Sequence, residues 1–160
     1  PQNTAAIIRT CSCLGAKLEI IEPCGFLLTD KRFKRVVMDY MDENDIKFFK
    51  SDKRFKRVVM DYMDENQIRF YENSDQFFKS KENQRIILMT TKARLNYTKF
   101  KFDKNDTILF GRESAGVPEK IHKKVKNRLK IPMKKDIRSL NVASSVAIVL
   151  AESLRQTKLI

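Results

Sequence analysis

No stretch of this chain approaches the ~18 consecutive apolar residues that a membrane-spanning helix needs, and no signal sequence opens it. Histidine is almost missing: His122 stands alone, and nothing around it in the sequence suggests a Ser–His–acid triad. Cysteine is scarce as well. Cys11, Cys13 and Cys24 are odd in number, without a CxxC pair, and a tetrahedral zinc site could recruit only His122 beside them. Free thiols in a reducing compartment are therefore expected, and no metal. The four glycines form neither the GxGxxG of a dinucleotide-binding turn nor a Walker A lysine loop. These absences point to a soluble, cytosolic chain without nucleotide-binding fingerprints. The first residue is Pro1 rather than Met, and a further segment upstream is expected.

Acidic residues are also in deficit. Against 20 Asp and Glu stand 33 Lys and Arg, a formal net charge of +13. A field of that sign attracts polyanions, nucleic acid foremost; a lysine-rich, solvated surface is the plainer reading. What is abundant is repetition of one kind. The string DKRFKRVVMDYMDEN fills residues 30–44 and returns letter for letter at 52–66. Repeat folds show degenerate similarity over several units that bury one another, and two perfect copies are something else.

Periodicity gives the organisation. Asn3 or Thr4 can cap a helix carrying Ile7, Ile8, Cys11 and Leu14 at helical spacing, with Gly15 to stop it. KLEIIEP alternates as a strand up to Pro23. Each copy of the repeated string places Phe, Val, Val, Tyr and Met on one face of an amphipathic helix, and DIKFF and QIRFY follow as short strands. SDQFFKSKEN reads as helix, RIILMTTK as a buried strand, and DTILF as a strand entering a loop with two glycines before a helix that has Pro118 near its first turn. LKIPM is a further strand, and SLNVASSVAIVLAESLRQ a long closing helix. Strands and helices alternate, which predicts an α/β fold: a mainly parallel sheet with helices on both faces.

Three local features could carry chemistry. NTAAIIR sets Asn3 and Arg9 on the first helix, Arg9 outside its apolar stripe; a solvated arginine is the alternative. ILFGRESAGVP breaks from strand to loop at a strand's carboxyl end, where open α/β sheets bind ligands, and a simple strand–helix turn is the alternative. In IPMKKDIRSLNVASS, Ser139 and Asn141 can cap the last helix, and the small residues after them permit close packing.

Together and in this order, these features resemble the three motifs of the SPOUT, or SpoU/TrmH-type, α/β-knot RNA methyltransferases. The match is nearest to the TrmL branch, which methylates the ribose 2′-OH of the wobble nucleotide of tRNA. PQNT..IIR, IIEP.GF, DKR..R...DY, TTK, FGRESAGVP and IPM....RSLNVA..VAIVL.E.LRQ carry it from Pro1 to Gln156. The resemblance implies a single domain over residues 1–160 with a C-terminal trefoil knot. It implies S-adenosylmethionine held by Met89, Gly111, Ile131, Ser139 and Leu140, mostly through backbone groups. Arg9 matches the arginine of the first motif, a ribose or phosphate anchor, and Asn3, Glu113 and Asn141 match the polar residues that complete the catalytic site. It further implies a homodimer, the anticodon stem-loop of tRNA as partner, and no metal.

The chain departs from the family pattern in three places. Ala5 and Ala6 stand where Gly-Asn is usual, Ala151 where many members have tyrosine, and the short strand that normally precedes PQNT is absent. Those departures keep open a catalytically impaired RNA-binding module, and rRNA is the other candidate substrate. The pattern also has one DKR..R...DY helix, so the doubled string is an insertion of 22 residues. One copy is expected to dock natively, and the second is preferred because its downstream strand must enter the sheet in register with Arg85–Lys92.

Overall fold

The computed structural model describes residues 2–23, 68–112, 115–134, 137 and 139–160. Both copies of the repeated string, and the choice between them, lie outside the described residues. The chain divides into two compact units, Pro1–Phe77 and Phe78–Ile160.

In the first unit, α1 (Gln2–Cys13) buries Ala5, Ile8 and Cys11, three residues one turn apart on a single face. Ile7 and Leu14, expected in that stripe, are only partly buried. The helix starts at Gln2, so Asn3 and Thr4 sit inside its first turn rather than capping it. Its end follows the sequence: Gly15 takes φ +65°, Gly15 N donates to Ser12 O at 3.2 Å, and Ala16 N donates to Cys11 O at 2.9 Å. That pair of bonds is a Schellman cap, and it needs a residue without Cβ strain at the left-handed position. Strand β1 (Leu18–Ile21) pairs in parallel with β2 (Ile68–Tyr71), Leu18 opposite Ile68 and Ile21 opposite Tyr71. Tyr71 is buried edge-on against Phe77 at 5.3 Å, and its hydroxyl donates to Glu19 Oε1 at 3.2 Å. Asn73 Oδ1 accepts from Gln76 N at 2.9 Å and so caps α2 (Ser74–Ser80).

The second unit holds β3 (Ile86–Met89), β4 (Leu95–Asn96), β5 (Thr107–Leu109), α3 (Glu119–Lys124), β6 (Asn127–Lys130) and α4 (Val142–Thr157). Its sheet runs β4-β6-β3-β5 with every pair parallel. β3 and β6 are therefore interior, which is why Ile87, Leu88 and Leu129 are fully buried. Val149 of α4 closes the same core with Met89 and Phe102. The basic stretch after β3, only loosely patterned in sequence, contributes the edge strand β4 and a 3₁₀ turn, Tyr97–Lys99. It is anchored through its aromatics: Tyr97 and Phe100 pack on the core. Arg85 pairs bidentately with Asp106, its guanidinium lying 5.1 Å from the Phe100 ring centre. β6 ends two residues ahead of Pro132, earlier than the LKIPM pattern suggests, because Pro132 brings no N–H to a ladder.

Candidate functional site

Parallel strands point their carboxyl ends the same way, so the three loops after β3, β5 and β6 emerge side by side at one end of the sheet. They enclose a cavity of about 200 Å³. The first loop supplies Met89, Thr90 and Thr91, the second Phe110 to Arg112 with Gly116 and Val117, and the third Ile131, Met133, Ser139 and Leu140. The first turn of α4 adds Val142 and Ser145. All five residues expected to hold the cofactor, Met89, Gly111, Ile131, Ser139 and Leu140, line this one cavity.

Each loop is held in shape by its own chemistry. Thr90 N donates to Leu129 O at 2.9 Å, extending the β3–β6 ladder one residue past the strand, and Thr90 Oγ1 accepts from Lys92 N at 3.3 Å. In the second loop Arg112 N donates to Gly116 O at 3.1 Å, and Gly116 N donates back to Arg112 O at 2.7 Å. This closed turn requires both of its glycines. Gly116 has φ +63°, and a Cβ on Gly111 would lie 2.5 Å from Gly116 C and 2.8 Å from Val117 N. The third loop ends at Asn141, whose Oδ1 accepts from Ala143 N at 2.9 Å and from Ser144 N at 3.3 Å. Asn141 is thus the cap of α4; Ser139, the other candidate for that task, faces the cavity instead.

The catalytic candidates are distributed differently. Asn141 borders the cavity by sequence, one residue before Val142. Glu113 lies outside the described residues. Asn3 and Arg9 belong to α1 of the first unit, Arg9 exposed and Asn3 half-buried, and neither is among the lining residues. Sequence reasoning had not picked out Thr90, Thr91, Phe110, Val117, Met133, Val142 or Ser145 as lining. For Thr90, Thr91 and Phe110 the available signal was their place within two residues of a strand end, and for Val142 and Ser145 the first turn of the last helix; Val117 and Met133 lie farther along their loops and carried no such signal.

Chemically the cavity combines apolar walls (Phe110, Val117, Ile131, Leu140) with hydroxyls from Thr90, Thr91, Ser139 and Ser145. No carboxylate lines it among the described residues, and no cluster of His, Cys, Asp and Glu there could hold a metal ion. Its volume is below the ~300–1,000 Å³ of pockets that enclose a whole small ligand. A nucleoside-sized ligand would therefore keep part of itself at the mouth, as a group donor must when its acceptor is a macromolecule.

Comparison with known proteins bears on the family and the fold. Residues 44–151 match the model of the SpoU rRNA Methylase family, a span that takes in the whole of the second repeated string and only the last residue of the first. Over 156 residues the chain is 38% identical to the tRNA (cytidine(34)-2′-O)-methyltransferase of Beijerinckia indica, covering 98% of this chain and 85% of that protein. A solved structure described as giving insight into 2-OH methylation of C/U34 on tRNA superposes with TM-score 0.74 at 29% identity, over 98% of this chain and 88% of that one. The AdoMet-bound rRNA methyltransferase of Sinorhizobium meliloti shares the fold with TM-score 0.72, at 19% identity, over 97% of this chain and 52% of that one.

Proposed function

This chain belongs to the SpoU methylase family, and we propose that it is a tRNA ribose 2′-O-methyltransferase acting on nucleotide 34 with S-adenosylmethionine as methyl donor. One observation carries the cofactor reading: three neighbouring parallel strands end in loops that bring Met89, Gly111, Ile131, Ser139 and Leu140 to one cavity. The donor set suits that ligand. A flat, weakly polar adenine matches apolar walls and backbone groups, and the absence of a lining carboxylate among the described residues leaves ribose and amino-acid hydroxyl contacts to Thr90, Thr91, Ser139 and Ser145. The substrate reading rests on relatives such as the Beijerinckia enzyme, similar over nearly the full chain; the family's description names rRNA, which is the competing substrate.

When bound, S-adenosylmethionine supplies an electrophilic methyl group, and the protein's part is to hold a ribose oxygen in line with it. A guanidinium stays protonated and is unsuited to a literal base, so Arg9 anchors ribose or phosphate and stabilises charge developing on the 2′-oxygen. Asn3, Glu113 and Asn141 complete the polar surroundings. Asn141 Oδ1 is committed to capping α4, so its contribution is to fix the end of the third loop.

The same reading includes the trefoil knot, a cytoplasmic location and a homodimer. No helix among the described residues is long and apolar enough to cross a membrane. For the dimer, α4 offers Ser144, Ile148 and Ala151, exposed and one turn apart, a surface that a second copy can cover closely.

Transfer of tritium from labelled S-adenosylmethionine to a tRNA pool tests the activity. Incorporation at nucleotide 34 is expected, with none into rRNA. Arg9→Ala should abolish turnover while leaving S-adenosylhomocysteine affinity close to that of the parent. No incorporation at saturating cofactor would refute the reading and leave the RNA-binding module as the alternative.

A further inference from the structure

The cavity's lining is neutral except at one position, and its rim is not. Arg112 lines the mouth with an exposed side chain, and its backbone is pinned on both sides by the bonds to Gly116. Lys92 follows the lining residue Thr91, and Lys134 follows Met133; both are exposed. Each of the three loops thus places a cation at, or one residue from, the cavity wall. Among the described residues the rim's one carboxylate contact is Glu119 Oε2, 3.8 Å from Lys92 Nζ, a pair largely open to solvent and therefore weak.

We propose that Arg112 is a positioning residue that grips an RNA backbone phosphate beside the ribose being methylated, with Lys92 and Lys134 widening the same cationic rim. This rests on the reading of the cavity as the methyl-donor site of an RNA methyltransferase. A nucleotide that presents its 2′-oxygen to this cavity brings its own flanking phosphates within a few ångströms of the mouth. A guanidinium matches phosphate oxygens in a bidentate fork, which fixes orientation as well as distance. Two backbone bonds hold the root of Arg112 at the mouth, so binding has only the exposed side chain to order. Lysine at the same place would supply the charge without the fork.

The test uses the intact protein with an anticodon stem-loop RNA, comparing Arg112→Gln and Arg112→Lys with the parent. Arg112→Gln should raise KM for the RNA about fivefold, a typical loss for one solvent-screened charge contact, with a smaller change in kcat. The slope of log affinity against log salt concentration should flatten by roughly 0.7–0.9, the share of one phosphate. Arg112→Lys should restore the slope and only part of the KM. A neutral methylphosphonate next to nucleotide 34 should weaken the parent and have no further effect on Arg112→Gln. S-adenosylhomocysteine affinity should stay the same in both variants. An unchanged slope and KM would overturn the proposal, as would a fall in S-adenosylhomocysteine affinity at constant slope, which would give the guanidinium to the cofactor. If the parent transfers no methyl group to tRNA, the functional reading fails separately. The salt slope of equilibrium binding to the same RNA then decides for Arg112 alone, and Lys92→Gln repeats the measurement where Arg112→Gln disturbs folding.

Discussion

Gly111→Ala should damage the cavity far more than one added methyl group suggests. The new Cβ would meet Gly116 C at 2.5 Å, Val117 Cγ2 at 2.7 Å and Val117 N at 2.8 Å. Comfortable carbon contacts begin near ~3.5 Å, so the opposing strand of the turn has to retreat by about 1 Å. Two of those three atoms are backbone, and no rotamer change can relieve them. A retreat of that size stretches the paired Arg112–Gly116 hydrogen bonds, now 3.1 and 2.7 Å, beyond useful length. Losing both costs about 1 kcal/mol each, and residual overpacking adds roughly 1 kcal/mol or more, for a total near 3 kcal/mol. Phe110, Gly111, Arg112, Gly116 and Val117 all line the cavity, so the displacement is also a displacement of its wall. Affinity for S-adenosylhomocysteine should fall at least about tenfold, the equivalent of ~1.4 kcal/mol. Gly116→Ala is the control. It incurs the left-handed penalty at φ +63°, about 1–2 kcal/mol, but its Cβ meets nothing within 4 Å. It should lower the melting temperature while largely sparing affinity. Calorimetric titration and thermal unfolding by circular dichroism give the two numbers for each variant. The reasoning is refuted if Gly111→Ala binds as the parent does, or if Gly116→Ala is the more damaging to affinity.

Leu129→Ala removes a fully buried side chain from the centre of the second unit's sheet and should cost about 3 kcal/mol, measured by chemical denaturation. Asn141→Ala deletes the cap that receives Ala143 N and Ser144 N; a loss of about 1 kcal/mol is expected by the same measurement, with Asn141→Asp or Asn141→Ser restoring most of it. Burial pushes the Cys11 thiol up from 9.0 to about 11, whereas Cys13 is exposed. Iodoacetamide near pH 8 should therefore modify Cys13 well before Cys11, as read by peptide mass spectrometry. Above pH 9 the unfolded chain ionises the Cys11 thiol and the folded chain does not, so that site's contribution to stability should decline as pH climbs towards 11.

The parts of this protein that were legible in its sequence are those governed by local pattern. Gly15 as a helix stop, the long helix α4 and the strands β1, β2, β3 and β5 follow from spacing and turn chemistry that neighbouring residues determine. The five cofactor candidates came from the resemblance to the SPOUT motifs: Met89, Gly111 and Ile131 sit at strand ends, which a parallel sheet gathers whatever the sequence between them, whereas Ser139 and Leu140 come far beyond the end of β6, just ahead of α4. What escaped was set by partners distant in the chain. β4 and its 3₁₀ turn form because Leu95 and Asn96 find β6 and because Tyr97 and Phe100 find the core, and neither partner is visible in the stretch itself. Ala5 and Ile8 are buried and Ile7 only partly so, a choice of face that the apolar spacing of α1 does not determine. Ser139 and Asn141 were equal candidates to cap α4. Only the position of Val142 at the first turn makes Asn141 the residue whose oxygen reaches Ala143 N and Ser144 N.

The doubled string is open to a test that its own symmetry constrains. Removing residues 30–51 and removing residues 45–66 leave the same polypeptide, so no deletion can report which copy the fold uses. Substitution can, because Phe33 and Phe55 are the same position in the two copies. β2 begins at Ile68, two residues beyond the end of the second string, and its register against β1 is fixed with Leu18 opposite Ile68. The first string is separated from β2 by the whole of the second. A parallel crossover is usually made by one helix, and burying each large apolar side chain of such a helix's face is worth ~1.5–3 kcal/mol, so one copy is expected to carry that energy and the other not. Short helix-to-strand connections of a few residues are the norm in such crossovers, which favours the second. Phe55→Asp should then cost at least about 3 kcal/mol, by lost burial and a desolvated carboxylate, and Phe33→Asp less than about 0.5 kcal/mol. Equal costs would mean that both faces are buried, and a larger cost at Phe33 would assign the native role to the first copy. The double variant separates one slot from two: with a single slot occupied by either copy in turn, each single change is rescued by the other copy and only the pair is destabilising.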